Sequence, residues 1–350
     1  MKEINLFITG VGNVGSELLN QIHTQKKFLK KNFDLKIKVI ALSNTKKMLF
    51  DLDGICLKKW KSKLSQGLEN NRDKFVNKTI NLWLENSVFI DNTASIIVSS
   101  EYSSYLKKGI AVVTCNKIAC SDKYKVYNNL KRISKKHKTP FLYETNVGAG
   151  LPVINTLKNL IDSGDKIHSI QAVLSGSINY IFNNFLEANS FHKIVDKAKV
   201  LGFTEPDPKI DLSGIDVARK LLILSREIGY KNELENIKIE SFLPDKCLVS
   251  NSYKDLFSSL KKNKNHFNKL LENAKRNGKK LKHVGEFYNG KGSVSLKEID
   301  ENHEFYNLEE KDNIILFYTE RYGNQPLVIK GAGAGSSVTA SGVFADILKL

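Results

Sequence analysis

The chain has 350 residues, of which 41% are hydrophobic, 26% are charged and only 6 are proline. This is the composition of a folded protein, and the length favours more than one domain over a disordered chain or a repeat fibre. Lys and Arg outnumber Asp and Glu by 54 to 37, which gives a net charge of +17. Because the lysines lie in short clusters along the whole chain, we attribute this charge to a solvated surface that also attracts anionic cofactors and substrates. We expect no nucleic-acid partner.

The sequence also argues against a membrane or secreted protein. No apolar stretch is long enough to span a membrane, and the first residues lack the apolar core and cleavage site of a secretory signal. The 4 cysteines, Cys56, Cys115, Cys120 and Cys247, show no CxxC spacing, so neither a zinc site nor a disulfide framework is predicted. We expect a cytoplasmic protein with reduced thiols and no membrane partner.

The start of the chain has the pattern of a βαβ unit. An apolar run, Ile4–Ile8, leads directly into Gly10-Val11-Gly12-Asn13-Val14-Gly15, which is followed by a helical pattern and by a second predicted strand, Lys36–Leu42. In a GxGxxG turn the first glycine permits the turn, the second lets backbone approach a pyrophosphate, and the third lets helix and strand pack closely. The helix N-terminus then faces the anion. This context predicts dinucleotide binding rather than a chance glycine turn.

The end of the second predicted strand bears on the choice of cofactor. An acidic residue at this place usually accepts hydrogen bonds from the ribose 2′-OH of NAD. This chain instead has Asn44-Thr45-Lys46-Lys47 and no carboxylate. NADP(H) is therefore favoured. NAD(H) is retained as the alternative, since Lys46 and Lys47 can equally belong to a lysine-rich surface.

Strands and helices continue to alternate up to residue 145. The predicted strands are Val88–Ile90, Ile110–Thr114 and Pro140–Tyr143, and the predicted helices are Tyr102–Lys107 and Asp122–His137. Such alternation predicts an α/β fold with a mostly parallel, doubly wound sheet. We therefore interpret residues 1–145 as a Rossmann-like dinucleotide-binding domain.

From residue 146 onward the pattern changes. Helical patterns dominate through Leu224, and short alternating strands follow at Lys280–Glu286, Ser293–Ile299, Asn313–Thr319 and Pro326–Ile329. Residues 146–330 are expected to form a second domain of α+β type. The glycine-rich segment after it leads to a terminal helix carrying Val338, Phe344, Ile347 and Leu348. We expect residues 331–350 to return to the first domain and complete it.

The predicted second domain contains an acidic segment that is a candidate functional site. Gly202-Phe203-Thr204-Glu205-Pro206-Asp207-Pro208-Lys209-Ile210-Asp211 displays several carboxylates, and its prolines predict a stiff, non-helical loop. The helix predicted after it, Ser213–Ile228, carries Asp216 and Lys220 at i and i+4, near enough to pair. An isolated pair of this kind is commonly a weak surface ion pair. Next to an acidic loop, however, such a lysine can present a proton to a substrate oxygen.

Six motifs carry a resemblance to a known family. They are Gly10–Gly15, Asn116-Lys117, Thr145–Pro152, Leu174–Ser177, Gly202–Pro208 and Asp216–Lys220. In this order and spacing the chain resembles homoserine dehydrogenase over essentially its whole length, and looks closest to the dehydrogenase half of the bifunctional aspartokinase–homoserine dehydrogenases. The resemblance implies an NAD(P)H-dependent, reversible reduction of L-aspartate 4-semialdehyde to L-homoserine, in the pathway toward threonine and methionine. It also implies that the second domain serves catalysis and dimerisation, in a homodimer or larger homo-oligomer.

The resemblance assigns roles to particular residues. Lys220 is expected to supply the proton, with Asp216 positioning it and binding substrate, and Lys117 is a second catalytic candidate. Glu205 and Asp211 are suited to bind the α-ammonium group of the substrate, while Lys117 and Lys220 can meet its carboxylate and carbonyl oxygens. Cofactor contacts are expected from Gly10, Val11, Gly12, Asn13, Val14, Gly15, Asn44, Thr93, Lys117, Gly202, Glu205 and Gly335.

The family also carries a monovalent-cation site, for Na⁺ or K⁺, built from one carboxylate and several carbonyl oxygens. The matching positions in this sequence are Glu144, Val147, Ala149 and Leu151. A hard cation held by oxygen atoms is chemically reasonable there. The glycines of this segment can also shape a hinge, and the two interpretations are compatible.

Two positions depart from the family pattern. Cys115 precedes Asn116 where relatives often have proline, and Ile118 follows Lys117 where relatives often have a second lysine. A cysteine near a nicotinamide suggests a thiol nucleophile, but no histidine motif supports that role. We expect Cys115 to be a small buried residue.

Two other functions compete with this interpretation. A nucleotide-sensing or nucleic-acid-binding protein of the same fold would have a disrupted catalytic set, whereas Lys117, Glu205, Asp216 and Lys220 are all present. A related dehydrogenase acting on a different aldehyde is disfavoured by the acidic loop with two prolines. Since no kinase segment precedes Met1 and no regulatory domain follows Leu350, we expect no feedback by threonine through an appended domain.

Overall fold

A computed structural model describes residues 1–186, 190–250 and 252–350. The chain divides into unit 1, Met1–Gly150 with Gly335–Leu350, and unit 2, Leu151–Ala334. The predicted domains, 1–145 with 331–350 and 146–330, have bounds that differ from these units by a few residues. The roles given to the two domains stay predictions.

A seven-stranded sheet forms the centre of unit 1. Its strands are β1 (Lys2–Thr9), β2 (Leu35–Ser43), β3 (Lys47–Phe50), β4 (Leu68–Glu69), β5 (Ser87–Asp91), β6 (Ala111–Thr114) and β7 (Phe141–Leu142). They lie in the order β4-β3-β2-β1-β5-β6-β7. The neighbouring strands β2, β1, β5, β6 and β7 are parallel, whereas β3 pairs antiparallel with both β2 and β4. β1 is almost wholly buried, as expected for a strand covered on both faces. The predicted Rossmann-like sheet is confirmed.

Helices cover this sheet. They are α1 (Asn13–Phe33), α2 (Trp60–Ser65), α3 (Arg72–Asn81), α4 (Ile96–Ser100), α5 (Tyr102–Lys107), α6 (Ile118–Ser121), α7 (Tyr124–His137) and the C-terminal α16 (Ser336–Leu348). The apolar face of α1, with Leu18, Leu19 and Ile22, packs into the same core as Val343 and Ile347 of α16. The last helix of the chain is therefore part of the core that supports the glycine turn.

Unit 2 contains a six-stranded, mainly antiparallel sheet in the order β13-β12-β8-β10-β11-β9. Its strands are β8 (Ile167–Val173), β9 (Ile237–Ile239), β10 (Lys280–Tyr288), β11 (Lys291–Ile299), β12 (Asp312–Thr319) and β13 (Leu327–Ala332). The expectation of helix through Leu224 was wrong for β8, which lies between β12 and β10. Its alternation of buried Ile170 and Ala172 with more polar residues is short, and the strongly helical patterns on both sides obscure it.

The helices of unit 2 surround a core rich in aromatic residues. They are α8 (Val153–Asp162), α9 (Gly176–Asn184), α10 (Phe191–Val200), α11 (Pro208–Leu212), α12 (Ile215–Glu227), α13 (Asp245–Leu248), α14 (Tyr253–Lys262) and α15 (Lys264–Arg276). In this core the rings of Phe191 and Phe267 stack at 4.1 Å. Among the helices of both units, within the part of the chain that the structure describes, none has the length and hydropathy needed to cross a bilayer.

The acidic segment is not wholly irregular, as the sequence suggested. A short helix, α11, begins at Pro208, and the side chain of Asp207 caps it by accepting a hydrogen bond from the Lys209 backbone N–H at 3.0 Å. Proline is tolerated at the first position of a helix because its missing N–H has no intrahelical partner there. The prediction of a non-helical segment was therefore correct only before Pro208.

A buried lysine connects several segments of unit 2. Lys282 of β10 is 1% exposed, and its Nζ donates to Asn179 Oδ1 at 3.1 Å, to Asn183 Oδ1 at 2.6 Å and to the Leu308 carbonyl at 2.5 Å. The Nδ2 groups of the same asparagines donate to carbonyls in the segment 308–312. Burial lowers the pKa of Lys282 to about 8. The lysine thus joins α9 to the segment that leads into β12.

We predict that Lys282→Met lowers the free energy of unfolding by about 3 kcal/mol, because buried oxygens lose their donor. Between pH 8 and 10.5 the unfolded chain holds this proton more tightly than the folded one, so the stability difference from wild type should widen as pH rises. Denaturation followed by circular dichroism at pH 7 and 9.5 measures both effects. Lys280→Met, at an exposed position of β10, is the matched control. An equal loss in both variants would contradict the prediction.

Candidate active site

The geometry of the turn between β1 and α1 accounts for each of its three glycines. Gly10 has φ of +89°, and a Cβ there would lie 2.8 Å from the Asn92 carbonyl group. A Cβ on Gly15 would lie 2.0 Å from the Gly10 carbonyl oxygen, whereas a Cβ on Gly12 would have no atom within 4 Å. Gly10 therefore permits the turn, Gly15 permits close packing, and Gly12 keeps the outer face of the turn open, as the sequence motif predicts.

The first turn of α1 is arranged to face an anion. Gly12 precedes the helix without a side-chain cap, and the described first turn has no acidic residue. The N–H groups there have no intrahelical partner, and the helix dipole adds positive potential. Asn13 and Val14 lie in this turn, which fits their expected place beside a pyrophosphate.

A cavity of about 870 Å³ lies beside the turn, entirely within unit 1. Its lining comes from the end of β1, the loops after β1, β2 and β5, the loop before α3 with the start of that helix, and the helix α4: Thr9, Gly10, Val11, Gly12, Asn44, Thr45, Lys46, Asn70, Arg72, Asn92, Thr93, Ala94, Ser95, Ile97 and Val98. Several predicted cofactor contacts, from the glycine turn to Asn44 and Thr93, thus share one cavity. Asn44 shapes the turn after β2, because its Oδ1 accepts hydrogen bonds from the backbone of Lys46 at 2.8 Å and of Lys47 at 2.7 Å.

Two cavity residues were missed by the sequence analysis. Arg72 donates from Nη1 to Thr9 Oγ1 and Ser43 Oγ, both at 3.1 Å, and so links the ends of β1 and β2. The Oδ1 of Asn70 is buried and has no hydrogen-bond partner among the described residues. An orphaned acceptor in such a cavity suits a hydroxyl donor such as that of a ribose. Neither residue belongs to a local motif, so only the folded arrangement identifies them.

The residues after β6 include Cys115 and Lys117. Cys115 is half-buried, and burial raises the pKa of its thiol to about 12. A nucleophilic cysteine needs a lowered pKa, so the structure disfavours a thiolate at this position. Lys117 is the residue immediately before α6.

In unit 2, Lys220 is held at a defined position. It is 9% exposed, and its Nζ donates to Asp216 Oδ2 at 2.8 Å and to the Leu174 carbonyl at 2.7 Å. The predicted pairing of Asp216 with Lys220 on one face of the helix is confirmed. Neighbouring apolar positions of α12, such as Val217 and Leu221, are buried and hold the helix against the core. The ammonium group therefore has a fixed place, as a proton donor requires.

The carboxylate of Asp211 lies in the same unit within an acidic cluster. Its Oδ1 accepts a hydrogen bond from Ser177 Oγ at 2.8 Å, and its Oδ2 accepts one from the Glu205 backbone N–H at 2.8 Å. Burial raises the pKa of Asp211, and the nearby charges of Glu205 and Asp216 raise it further. This concentration of negative charge suits a cationic group. Gly202, exposed and with φ of +70°, lies in the turn before this cluster.

Asn313 is a further residue that the sequence analysis missed. It is fully buried in β12, and its Nδ2 donates at 3.3 Å to the Leu174 carbonyl that also accepts from Lys220. A Cβ on Gly333 would lie 2.0 Å from Asn313 Cγ, so packing accounts for that glycine. Gly335, which is in unit 1, precedes α16 with φ of +124°.

The predicted cation ligands fall on both sides of the unit boundary. Glu144, Val147 and Ala149 are buried in unit 1, whereas Leu151 begins unit 2. The backbone N–H of Glu144 donates to Asp346 Oδ2 of α16 at 3.0 Å, which fixes this segment in unit 1. Within the described ranges no group of three or more His, Cys, Asp and Glu side chains could hold a metal ion. A site with one carboxylate and carbonyl oxygens stays a prediction.

The sheet, the glycine turn and the cavity define a dinucleotide-binding α/β protein. The sequence model of the family described as homoserine dehydrogenase matches residues 152–348, and that of its NAD-binding domain matches residues 10–144. The chain therefore belongs to the homoserine dehydrogenase family and contains its nicotinamide-cofactor-binding domain.

Individual relatives agree with the family assignment. Homoserine dehydrogenase of Schizosaccharomyces pombe is 38% identical, over 99% of this chain and 95% of the relative. A bifunctional aspartokinase/homoserine dehydrogenase of Haemophilus influenzae is 40% identical over 99% of this chain, but only 43% of the relative is covered. A chloroplastic bifunctional enzyme of Arabidopsis thaliana is 41% identical, over 98% of this chain and 38% of the relative. The chain thus spans about two fifths of the bifunctional relatives.

Solved structures agree on the fold. A crystal structure of a Candida auris protein of unknown function superposes with a TM-score of 0.91 and 32% identity, covering 100% of this chain and 98% of that one. A hyperthermophilic archaeal homoserine dehydrogenase in complex with NADPH gives a TM-score of 0.76 at 24% identity, covering 99% and 97%. At that identity the second likeness supports the fold alone.

The two glycines of the turn should respond differently to one added methyl group. We predict that Gly12→Ala folds with an unchanged melting temperature but binds NADPH about 10-fold or more weakly, because its Cβ occupies the space that the pyrophosphate approaches. Gly15→Ala should instead lower the melting temperature by several degrees, since its Cβ overlaps the Gly10 carbonyl. NADPH fluorescence titration and thermal denaturation separate the effects. Normal NADPH binding by Gly12→Ala would rule out this place for the pyrophosphate.

Proposed function

We propose that this chain catalyses the NAD(P)H-dependent, reversible reduction of L-aspartate 4-semialdehyde to L-homoserine, in the branch toward threonine and methionine. One observation in unit 2 carries the proposal: the Lys220 ammonium is fixed by Asp216 and the Leu174 carbonyl in the unit that also holds the acidic cluster. The family of the chain and the cavity of unit 1 support the cofactor class.

The residues fit the demands of this reaction. A bound nicotinamide supplies the hydride to the aldehyde carbon, or accepts it in the reverse direction. Lys220 gives the proton that the new hydroxyl oxygen needs, and Asp216 keeps its Nζ in position. Asp211 and Glu205 bind the α-ammonium group of the substrate. Lys117 meets a carboxylate or carbonyl oxygen of the substrate.

NADP(H) is the proposed cofactor. The turn after β2 offers no carboxylate to a ribose 2′-OH, and Lys46 is exposed where that turn lines the cavity. Lys47, by contrast, is half-buried in β3 and is not part of the cavity lining. The archaeal enzyme of the same fold was solved with NADPH. A 2′-phosphate beside Lys46 would gain a charge-assisted contact.

Three further features complete the proposal. A monovalent cation is held by Glu144, Val147, Ala149 and Leu151, which the family resemblance supports together with the buried positions of the first three. The active form is a homodimer or a larger homo-oligomer, and the enzyme works in the cytoplasm. Oligomeric state and location stay sequence-based predictions.

The activity is tested by following NADPH oxidation with aspartate semialdehyde. We predict turnover by wild type, and a loss of about 100-fold or more in kcat for Lys220→Ala with NADPH binding within about twofold, because only the proton donor is removed. Lys166→Ala is the matched control: this lysine of unit 2 makes an exposed pair with Glu320 at 3.4 Å. Absence of wild-type activity with both NADPH and NADH would reject the proposed function.

The cofactor preference is tested by a pair of adjacent lysines. We expect Lys46→Ala to raise KM for NADPH about 10-fold while KM for NADH changes little, because only NADPH carries the 2′-phosphate. Lys47→Ala removes the same charge one residue away, outside the cavity lining, and should leave both constants near wild type. Equal effects of the two substitutions would indicate general attraction by the basic surface instead of a specific contact.

A further inference from the structure

A fully buried carboxylate lies at the end of a central strand of unit 1. Asp91 is the last residue of β5 and has 0% exposure. Removing a charged group from water is costly unless hydrogen bonds compensate. Burial accordingly raises the pKa of Asp91, and hydrogen bonds from Tyr102, Thr93 and Asn116 act in the opposite direction. A carboxylate is tolerated in a core only where its oxygen atoms accept several hydrogen bonds.

The carboxylate joins three separate segments. Its Oδ1 accepts from the backbone N–H of Thr93 at 2.7 Å, and its Oδ2 accepts from Tyr102 Oη at 2.6 Å and from Asn116 Nδ2 at 3.0 Å. Thr93 is in the loop after β5, Tyr102 begins α5, and Asn116 is in the loop after β6. An apolar side chain of similar size could fill this space, but it could not connect these polar loops.

The loop after β6 is fixed on both sides of Lys117. Asn116 donates its backbone N–H to Thr114 Oγ1 at 2.9 Å, and its Nδ2 also donates to the Ser95 carbonyl at 3.0 Å. Its Oδ1 accepts from the backbone N–H of Ile118 at 3.1 Å. The backbone N–H groups before and after Lys117 are therefore both tied to the network around Asp91.

The loop after β5 is fixed in a similar way. The Thr93 backbone N–H donates to Asp91 Oδ1, and the Thr93 Oγ1 accepts a hydrogen bond from the Ser95 N–H at 3.0 Å. This loop lies directly against the glycine turn, because a Cβ on Gly10 would lie 2.8 Å from Thr93 Cγ2. The contacts of Asp91 thus extend from the turn to both loops.

We propose that Asp91 is a positioning residue, which locks the loops carrying Thr93 and Lys117 relative to the glycine turn and so sets both cofactor affinity and turnover. It acts through these residues and touches neither cofactor nor substrate itself. The kinetic part rests on the proposed function of the chain, whereas the part on cofactor affinity needs only the dinucleotide site.

Asp91→Asn tests the lock with almost no change of volume. Both carboxylate oxygens accept hydrogen bonds, so in one orientation the new amide N–H₂ would face the Thr93 N–H, and in the other it would face the Asn116 N–H₂ and the Tyr102 hydroxyl. At least one contact must therefore break. We expect kcat to fall about 10- to 100-fold, since displacements near 1 Å of functional groups have effects of this size. We also expect the Kd for NADPH to rise about 10-fold. Both changes should be present far below the melting temperature.

Tyr102→Phe removes a single donor and keeps the carboxylate, so it should shift kcat and Kd in the same directions by about 3- to 10-fold. Tyr105→Phe is the matched control. Tyr105 lies on the same helix, is equally buried and stacks on Phe89 at 4.1 Å, but its hydroxyl makes none of the hydrogen bonds to Asp91 described above. It should therefore leave kcat and Kd near wild type. The double variant Asp91→Asn/Tyr102→Phe should be less impaired than the product of the single effects.

The measurements are steady-state kinetics with aspartate semialdehyde, NADPH fluorescence titration without substrate, and thermal denaturation. If Asp91→Asn and Tyr102→Phe lower only the melting temperature, with wild-type kcat and Kd, Asp91 is merely structural and the proposal is overturned. If Asp91→Asn does not fold, Tyr102→Phe against Tyr105→Phe decides by the same criterion. If wild type binds NADPH but is inactive, the proposed function fails while the titration still tests the lock.

Discussion

The contact between Gly15 and the Gly10 carbonyl is the constraint on which unit 1 depends. A Cβ at Gly15 would lie 2.0 Å from that oxygen, so helix α1 can approach the end of β1 only because the residue is glycine. This approach directs the helix N-terminus at the cavity. The loop after β5 lies against Gly10 for a similar reason, since a Cβ there would lie 2.8 Å from the Asn92 carbonyl group. Buried Leu18 and Leu19 of α1, together with Val343 of α16, hold the helix in place. Core packing and anion binding are in this way two results of one close contact.

Unit 2 contains two buried lysines whose hydrogen-bond partners differ, and the partners suit one to a structural role and the other to the proposed catalytic role. Lys282 has amide and carbonyl oxygens as its acceptors, and these contacts tie α9 to the segment before β12. Lys220 donates to one carboxylate and one carbonyl, and it lies one turn after the half-buried Asp216 on the same helix. As the proposed proton donor, Lys220 would have to lose and regain its proton, and the neighbouring carboxylate of Asp216 stabilises its charged form. The three acceptors described for Lys282 are neutral oxygens, so its contacts join segments of the fold without a charged partner that would favour the protonated form.

Much of this organisation could be predicted from local pattern. The glycine turn, the parallel strands around it and the pairing of Asp216 with Lys220 follow from spacings within a few residues of each other. The rest needed the fold. Strand β8 has too short an alternation to stand out between helices, and the helical turn at Pro208 depends on a cap by Asp207. Arg72, Asn313 and Asp91 act through partners far away in the sequence, and no local motif marks them.

The chain as a whole is strongly basic, whereas the cluster around Asp211 is acidic. This difference affects which ligands the protein can select. A net charge of +17 attracts anions in general, including a dinucleotide and any substrate carboxylate. Long-range attraction of that kind is screened by salt and cannot distinguish one anion from another. The acidic cluster of Glu205, Asp211 and Asp216 disfavours simple anions at short range, and it raises the pKa of Asp211. A molecule that carries an ammonium group as well as a carboxylate matches both charges. The proposed substrate, an α-amino acid aldehyde, has this pattern, so long-range attraction and short-range selection are consistent with the proposal.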